Sequence, residues 1–69
     1  MLGEYLKKYR LSKNLTQTEF AEMLDTHQTY YSMIESGAKK PGIKFINKLA
    51  EAMEVEPSML RKLLWLLIN

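Results

Sequence analysis

Apolar residues recur along the chain at the spacing of helices. Leu2, Leu6 and Tyr9 stand at positions i, i+4 and i+7, which places their side chains on one helical face. This pattern fades at Lys13 and Asn14, and Asn tolerates the left-handed conformation that often ends a helix. No run alternates between apolar and polar residues, as a half-buried strand requires. The sequence therefore predicts an all-helical chain whose first helix ends near residue 13.

Thr16 marks the start of the second predicted helix. Glu19 follows three residues later, and this spacing is typical of a capping box, in which each residue satisfies a backbone N–H of the other. The helix is predicted from about Gln17 to Leu24, and a short break follows at residues 25 and 26. Its predicted buried residues are Phe20, Ala21 and Leu24.

Three further helices are predicted. The third begins at about His27 or Gln28 and runs to Ser36, because Gly37 is a typical helix end. A loop at residues 38–42 precedes the fourth, and Pro57 fits the first turn of the fifth. The apolar stripe of the fourth consists of Ile46, Leu49, Ala50 and Met53, and that of the fifth consists of Leu60, Leu63, Leu64 and Leu67.

The second and third helices have the outline of a helix-turn-helix. Each is two to three turns long, and only a few residues separate them, so they must turn sharply against each other. Ala21 lies on the inner face of the second helix, where a small side chain allows a close crossing. At about 100° per residue, the third helix packs through Tyr30, Tyr31 and Ile34.

The opposite face of the third helix is short and uncharged. An ordinary solvated face usually carries charges, whereas a face that enters the major groove needs side chains that reach base edges. Gln pairs with adenine, Ser and Thr bond to several edges, and an apolar group can touch the thymine methyl. The residues on this face and its flank are Gln28, Thr29, Ser32, Met33 and Ser36.

Cations lie beside this face rather than on it. Lys39, Lys40 and Lys44 follow the third helix closely, and Gln17 stands at the start of the second helix near free backbone N–H groups. Such groups bind phosphates and position a protein on DNA. Lys7, Lys8 and Lys13 are more simply interpreted as a solvated helix face.

Composition narrows the function classes. The 69 residues are 46% hydrophobic and 26% charged, which predicts one small domain over residues 1–69. Without Cys and with a single His, the chain offers no thiolate zinc site, no metal cluster and no identifiable catalytic triad, so we expect neither an enzyme nor a cofactor. The apolar run at residues 63–68 is far shorter than the ~20 residues of a membrane span, and no secretory pattern begins the chain, which favours the cytoplasm.

The predicted fifth helix, about residues 57–68, carries more apolar surface than one core needs. Trp65, Leu66 and Ile68 fall outside its main stripe. We expect them to form a two-fold dimer interface, and the alternative is that this end folds back onto the first helix. The net charge of +2 is by itself weak evidence for a polyanionic partner.

The stretch from Leu6 to Leu60 resembles the phage repressor and Cro-like helix-turn-helix family, often labelled XRE. The matching segments are Leu6–Arg10, Leu15–Leu24, Tyr30–Gly37, Lys39-Lys40-Pro41, Leu49-Ala50 and Val55–Leu60. The resemblance implies a five-helix, lambda-repressor-like DNA-binding domain whose third helix enters the major groove. It also implies that Gln17 contacts phosphate and braces Gln28.

The resemblance and the face analysis together define three predicted sets of residues. Arg10 and Glu35 are expected to pair across the core, as a structural ion pair. His27 is read as a polar residue at a helix start, and a pH sensor is the alternative. The base-reading set is Gln28, Thr29, Ser32 and Met33, and the set that contacts the DNA backbone is Gln17, His27, Tyr30, Ser36, Lys39, Lys40 and Lys44.

The sequence departs from the family pattern at five positions. These departures concern the operator sequence rather than the fold. Asp25 replaces a common Gly in the turn between the second and third helices. His27 replaces a small residue that caps the third helix, and Met33 replaces a residue that is more often polar. Gly42 stands where a Ser or Thr cap of the fourth helix is common, and Glu54 stands where a Gly is common after that helix.

These features predict a sequence-specific DNA-binding regulator of transcription, acting as a repressor and as a homodimer on a palindromic operator. Its half-sites would lie about one helical turn apart, ~34 Å. The alternative is a protein-interaction module, such as an antitoxin-like chain, that uses the same fold with little DNA binding. Regulation would come from concentration, a protein antagonist or a partner. Phage repressors, antitoxins, restriction controllers and excised pieces of longer regulators all fit this sequence equally well. The sequence also does not give the operator, the regulated genes or the inducer, and it does not distinguish repression from activation.

Overall fold

The computed structural model of the protein describes residues 2–54 and residue 62. Within this part of the chain the secondary structure is entirely helical, as predicted. Apart from Lys62, the predicted fifth helix at about 57–68, with Trp65, Leu66 and Ile68, lies outside the described residues. The four helices described are α1 (Leu2–Ser12), α2 (Gln17–Met23), α3 (Gln28–Ser36) and α4 (Ile43–Met53).

A capping box begins α2, as the sequence predicts. The Oγ1 atom of Thr16 accepts a hydrogen bond from the backbone N–H of Glu19 at 3.1 Å, and the Oε1 atom of Glu19 accepts one from the backbone N–H of Thr16 at 2.8 Å. The hydrogen bond from the Thr16 backbone lowers the pKa of Glu19. This reciprocal pair fixes the residue at which α2 begins.

Left-handed residues end the helices or occupy the turns between them. Asn14 and Gly37, both predicted helix ends, have φ angles of 58° and 84°. Asp25 in the break between α2 and α3 and Glu54 after α4 also have positive φ, at 55° and 57°. A side chain in this conformation costs roughly 1–2 kcal/mol relative to glycine. Asp25 and Glu54 therefore adopt, with side chains, a backbone conformation that glycine adopts without this cost.

One apolar core joins all four described helices. Phe20 of α2 lies at its centre, with its ring centroid 5.3 Å from that of Tyr31 and 5.8 Å from that of Tyr9. Because α3 packs on both α1 and α2 through one side, its opposite side faces outward. The buried apolar residues are Leu2, Leu6, Phe20, Ala21, Leu24, Tyr31, Ile34, Phe45, Leu49 and Ala50.

Gly3 sets the distance between α1 and the end of α3. A Cβ atom at this position would overlap the carbonyl group of Glu35 and crowd that of Ile34. The obstacle is backbone, which cannot swing aside as a flexible side chain can. The absence of a side chain at Gly3 therefore allows α1 to lie directly against the residue that pairs with Arg10.

We expect Gly3→Ala to destabilise the domain by about 1–3 kcal/mol, because the added methyl overpacks a backbone contact. The helix propensity of Ala offsets at most about 1 kcal/mol of this loss. Urea denaturation followed by circular dichroism measures the change.

Gly42→Ser is the matched control, since it adds a side chain at the first residue before α4. A Cβ atom at Gly42 would meet only the Tyr30 hydroxyl, at 3.9 Å, and the φ of −83° suits any residue. A Ser cap should stabilise α4 by a few tenths of a kcal/mol. Equal losses of unfolding free energy in Gly3→Ala and Gly42→Ser would contradict the close contact at Gly3.

Candidate nucleic-acid interface

The turn between α2 and α3 is held from both sides. The side chain of Leu24 is buried in the core, and the backbone N–H of Thr26 donates to the carbonyl oxygen of Ala21 at 2.9 Å. His27 is the first residue before α3, in an extended conformation, and its side chain does not cap the helix. The turn thus fixes where α3 begins while leaving the His27 side chain exposed.

The predicted base-reading residues lie on the outward side of α3. Gln28 and Thr29 are exposed in its first turn, and the Met33 side chain is 40% exposed one turn further on. Ser32 is half-buried at the edge of this face. The four side chains therefore form one short uncharged surface, which we call the α3 outer face.

Ser36 lies at the end of α3, beyond the outer face. Its Oγ atom donates to the carbonyl oxygen of Met33 at 3.2 Å, and the same carbonyl oxygen accepts from the backbone N–H of Lys39 at 3.2 Å. The hydroxyl oxygen keeps its capacity to accept a hydrogen bond. This residue, predicted to contact the DNA backbone, is exposed but already holds a structural bond.

A chain of hydrogen bonds links the outer face to the core. The Nε2 atom of Gln28 donates to Oε1 of Gln17 at 2.8 Å, and the Nε2 atom of Gln17 donates to Oε1 of Glu35 at 3.1 Å. Glu35 in turn accepts from Arg10. The bracing of Gln28 by Gln17 that the resemblance implies is present, and it continues inward to a charged pair.

Arg10 and Glu35 form a two-point ion pair between α1 and α3. The Nε atom of Arg10 lies 3.0 Å from Oε2, and its Nη2 atom donates to Oε1 at 3.1 Å. The Nη1 atom donates to the carbonyl oxygen of Leu15 at 2.9 Å, which ties the pair to the segment before α2. The two side chains are only 10% and 7% exposed, so little water screens this interaction.

The surroundings of Glu35 favour its charged form. Burial by itself would raise the pKa of this carboxyl group. The hydrogen bond from Arg10, the neighbouring Tyr31 hydroxyl, the Gln17 amide and the charge of Arg10 together outweigh burial and lower it. The bond to Glu35 likewise raises the pKa of the Arg10 guanidinium. Glu35 is therefore a carboxylate at neutral pH and acts only as a hydrogen-bond acceptor.

Tyr30 connects α3 to the start of α4. Its ring lies edge-on to that of Phe45, with centroids 5.7 Å apart, and its hydroxyl oxygen accepts from the backbone N–H of Gly42 at 3.3 Å. The Nζ atom of Lys39 lies 5.5 Å from the centroid of the Tyr30 ring, a cation–π contact that holds this lysine beside α3. Tyr30 thus positions the loop as well as packing the core.

Six of the predicted backbone-contacting residues fall in three places around α3. His27, Tyr30 and Lys44 line one open groove between the start of α3 and the start of α4. Gln17 lies beside Gln28, to whose side chain it is hydrogen-bonded. Lys39 and Lys40 are exposed in the loop after α3. The candidate anchors therefore flank the outer face rather than occupying it.

The contact between Glu35 and Gln17 is the feature that the sequence interpretation missed. It paired Glu35 with Arg10 alone. A signal was available, because Glu35 follows Gln28 by seven residues and so lies about 20° from it around the axis of α3, on the flank between the outer and the packed side. A residue that braces Gln28 from α2 is then within reach of Glu35 as well.

Among residues 2–54 and 62, no helix has the length and apolar character to cross a membrane. In the same residues, no cluster of His, Asp and Glu side chains is arranged to hold a metal ion.

Comparison with known proteins gives consistent matches. The model of the helix-turn-helix family matches residues 6–60. The uncharacterized HTH-type transcriptional regulator YqaF of Bacillus subtilis (strain 168) is 40% identical over 53 residues, which cover 77% of this chain and 70% of that protein. Control protein C.BamHI of Bacillus amyloliquefaciens is 36% identical over 58 residues, covering 83% of this chain and 72% of that protein.

A solved structure is similar over most of the chain. It is a crystal structure of SinR, the master regulator for biofilm formation, in complex with DNA. The TM-score is 0.73 at 31% sequence identity, and the match covers 87% of this chain and 97% of that chain.

The Arg10–Glu35 pair predicts a pH-dependent stability. Arg10→Met should cost about 3–5 kcal/mol at pH 7, because it leaves a buried carboxylate without its partner. Since the folded-state pKa of Glu35 is lowered, the pair stabilises the domain above the unfolded pKa, and this contribution is lost as pH falls through the folded pKa. Loss of the Arg10 hydrogen bond raises the pKa of Glu35 in the variant, so its unpaired carboxylate is protonated first, and the penalty of Arg10→Met should shrink as the pH falls from 7 towards 3.

Lys48→Met serves as the control, since Lys48 forms a surface ion pair with Glu51 at 3.9 Å. Exposed pairs of this kind contribute about 0–1 kcal/mol, so this variant should stay close to the parent at pH 7. Denaturation of the three proteins between pH 3 and pH 8 makes the comparison. A penalty at Arg10 that is the same at pH 3 and pH 7 would rule out the assigned ionisation of Glu35.

Proposed function

The chain belongs to the helix-turn-helix family, which confirms the resemblance read from its sequence, and from this membership we propose that it is a DNA-binding regulator of transcription that reads a specific sequence with α3. The relatives named as a transcriptional regulator and a control protein support the regulatory role. The similarity to a SinR structure in complex with DNA supports the DNA-binding role.

The α3 outer face is the observation that carries this proposal. Its exposed side chains offer an amide, a hydroxyl and an apolar thioether, which together suit base edges and the thymine methyl. A carboxylate on this face would be repelled by phosphates. The only acidic residue of α3, Glu35, is instead turned inward and neutralised by Arg10.

Within this proposal, Gln28, Thr29, Ser32 and Met33 contact bases. The residues on either side hold the sugar-phosphate backbone, and they do so without reading sequence. Lys39 is kept at the edge of α3 by Tyr30, and the groove lined by His27, Tyr30 and Lys44 accepts the strand beside it. The backbone-contacting set is Gln17, His27, Tyr30, Ser36, Lys39, Lys40 and Lys44.

We further propose repression by a homodimer on a palindromic operator, within a five-helix domain over residues 1–69. One α3 helix of nine residues reads too few base pairs for useful selectivity. Two copies would read half-sites about 34 Å apart. The proposed interface residues, Trp65, Leu66 and Ile68, come from the sequence pattern and lie outside the described residues.

Selection of bound duplexes from a random pool tests the function directly. We expect the selected duplex to be two-fold symmetric and the protein to bind it on the order of 10³-fold or more tightly than a scrambled duplex. The double variant Gln28→Ala, Thr29→Ala should keep its fold and oligomeric state while losing most of this ratio, because only base contacts discriminate sequence. Unchanged discrimination would refute the assignment of the reading face. Equal binding of the selected and scrambled duplexes by the parent would favour a protein-interaction module.

Paired lysine variants test the anchors. Lys39→Ala with Lys40→Ala should reduce the slope of log affinity against log salt by about 2, since each phosphate contact releases counterions. Lys7→Ala with Lys8→Ala makes the same change in net charge on the exposed side of α1 and should leave the slope nearly unchanged. Equal effects of the two pairs would show that only net charge matters and would remove the loop lysines from the interface.

A further inference from the structure

The orientation of the Gln17 amide is set by Glu35. A carboxylate has no hydrogen to donate, so only the NH₂ end of a neighbouring amide can bond to it. The Nε2 atom of Gln17 lies 3.1 Å from Oε1 of Glu35, and the carbonyl end of the amide must then point away. The assignment of nitrogen and oxygen in this side chain follows from chemistry alone.

The same logic passes to Gln28. The Oε1 atom of Gln17 is an acceptor, so Gln28 must present its own NH₂ end to it, and the two atoms lie 2.8 Å apart. One of the two N–H groups of Gln28 is used in this bond. The groups left for a ligand are its second N–H and its Oε1 atom, one donor and one acceptor.

This pattern discriminates between the purines. In the major groove adenine presents an N7 acceptor beside an N6 donor, which one N–H and one carbonyl oxygen satisfy together. Guanine presents two acceptors, N7 and O6, and requires two donors. If the Gln17 amide were reversed, it would donate to Oε1 of Gln28, and Gln28 would keep two N–H groups suited to guanine.

We propose that Glu35 is a positioning residue that sets the base preference of Gln28, by fixing the direction of the hydrogen-bond chain from Glu35 through Gln17 to Gln28 so that adenine is favoured over guanine. The inference rests on the proposed function, since it assumes that Gln28 reads a base. It assigns to the core ion pair a role in sequence selectivity beside its role in stability.

Arg10 makes Glu35 suitable for this role. Two of its hydrogen bonds hold the carboxylate in place, and a third, to the Leu15 carbonyl, fixes the guanidinium relative to the start of α2. The carboxylate stays charged and cannot change from acceptor to donor at neutral pH. A neutral amide at position 35 could bond to either end of Gln17 and would leave both directions of the chain available.

The test measures adenine over guanine preference at a single base pair. Gln28→Ala first identifies that pair, as the position of the selected operator whose preference it flattens. At this position the parent should prefer adenine by about 5-fold or more, the lower range for a bidentate contact. Two variants then interrupt the hydrogen-bond chain from Glu35 through Gln17 to Gln28. Neither variant leaves an unpaired charge buried in the domain.

Gln17→Met keeps the Arg10–Glu35 pair and removes the connecting amide. The double variant Arg10→Met, Glu35→Leu keeps Gln17 and removes the carboxylate together with its partner, an exchange that buried pairs often tolerate. Both should reduce the preference for adenine at the Gln28 position to about 2-fold or less, while preferences at other base pairs persist. Thermal denaturation verifies that each variant is folded.

Lys40→Met is the control for a lost phosphate contact. It should weaken all duplexes by the same factor and leave the adenine preference unchanged, which separates weaker binding from altered reading. A parent that prefers guanine at this position, or variants that bind with the parent's preference, would overturn the inference while leaving the proposed function in place. If Gln28→Ala flattens no position, or if the parent shows no sequence preference, the reading role of Gln28 fails and the inference fails with it.

Discussion

The carboxylate of Glu35 is the point on which the described structure depends most. It lies on α3, it is bound by Arg10 of α1, and it accepts a hydrogen bond from Gln17 of α2. One acidic group thus joins the three helices that a helix-turn-helix must hold in a fixed relation. Because the group is nearly buried and charged, each of these bonds is stronger than it would be in water, and each is costly to leave unmade.

The apolar core, like the hydrogen bonds to Glu35, fixes α1, α2 and α3 relative to one another. Phe20 and Tyr31 bring α2 and α3 together by an edge-on contact, while Gly3 lets α1 approach the end of α3 closely. The packed side of α3 is therefore occupied, and its remaining side is presented to solvent. Exposure of the α3 outer face is a consequence of how completely the other side is used, rather than an independent feature.

Much of this arrangement is readable from the sequence, because local rules decide it. The start of α2 follows from the capping box at Thr16, and the end of α3 follows from Gly37 in the left-handed conformation. Helical spacing places Gln28, Thr29 and Met33 outward and Tyr31 and Ile34 inward, as the structure has them. These are contacts within a helix or a turn, for which residue spacing is sufficient information.

Contacts between helices are less accessible to such rules. The close approach at Gly3 depends on where the end of α3 lies, and the bond from Gln17 to Glu35 depends on the crossing of two helices. Periodicity gives each residue a face but not the distance to a neighbouring helix. A residue such as Glu35 therefore reads as half of an ion pair from sequence, and as a three-helix junction only when the structure is known.

Because the net charge is only +2, the positions of the charged groups matter more than their sum. Net charge alone provides only a weak general attraction to DNA, so selectivity has to come from where groups are placed. The domain places its loop lysines beside the outer face and neutralises the one acidic residue of α3 from within. Under the proposed reading of bases by α3, the ion pair that supports the fold also directs Gln17 toward Gln28, so that stability and base preference are linked. Sequence changes at Arg10 or Glu35 are then expected to alter both together, whereas changes at Thr29 or Met33 are expected to alter base preference alone.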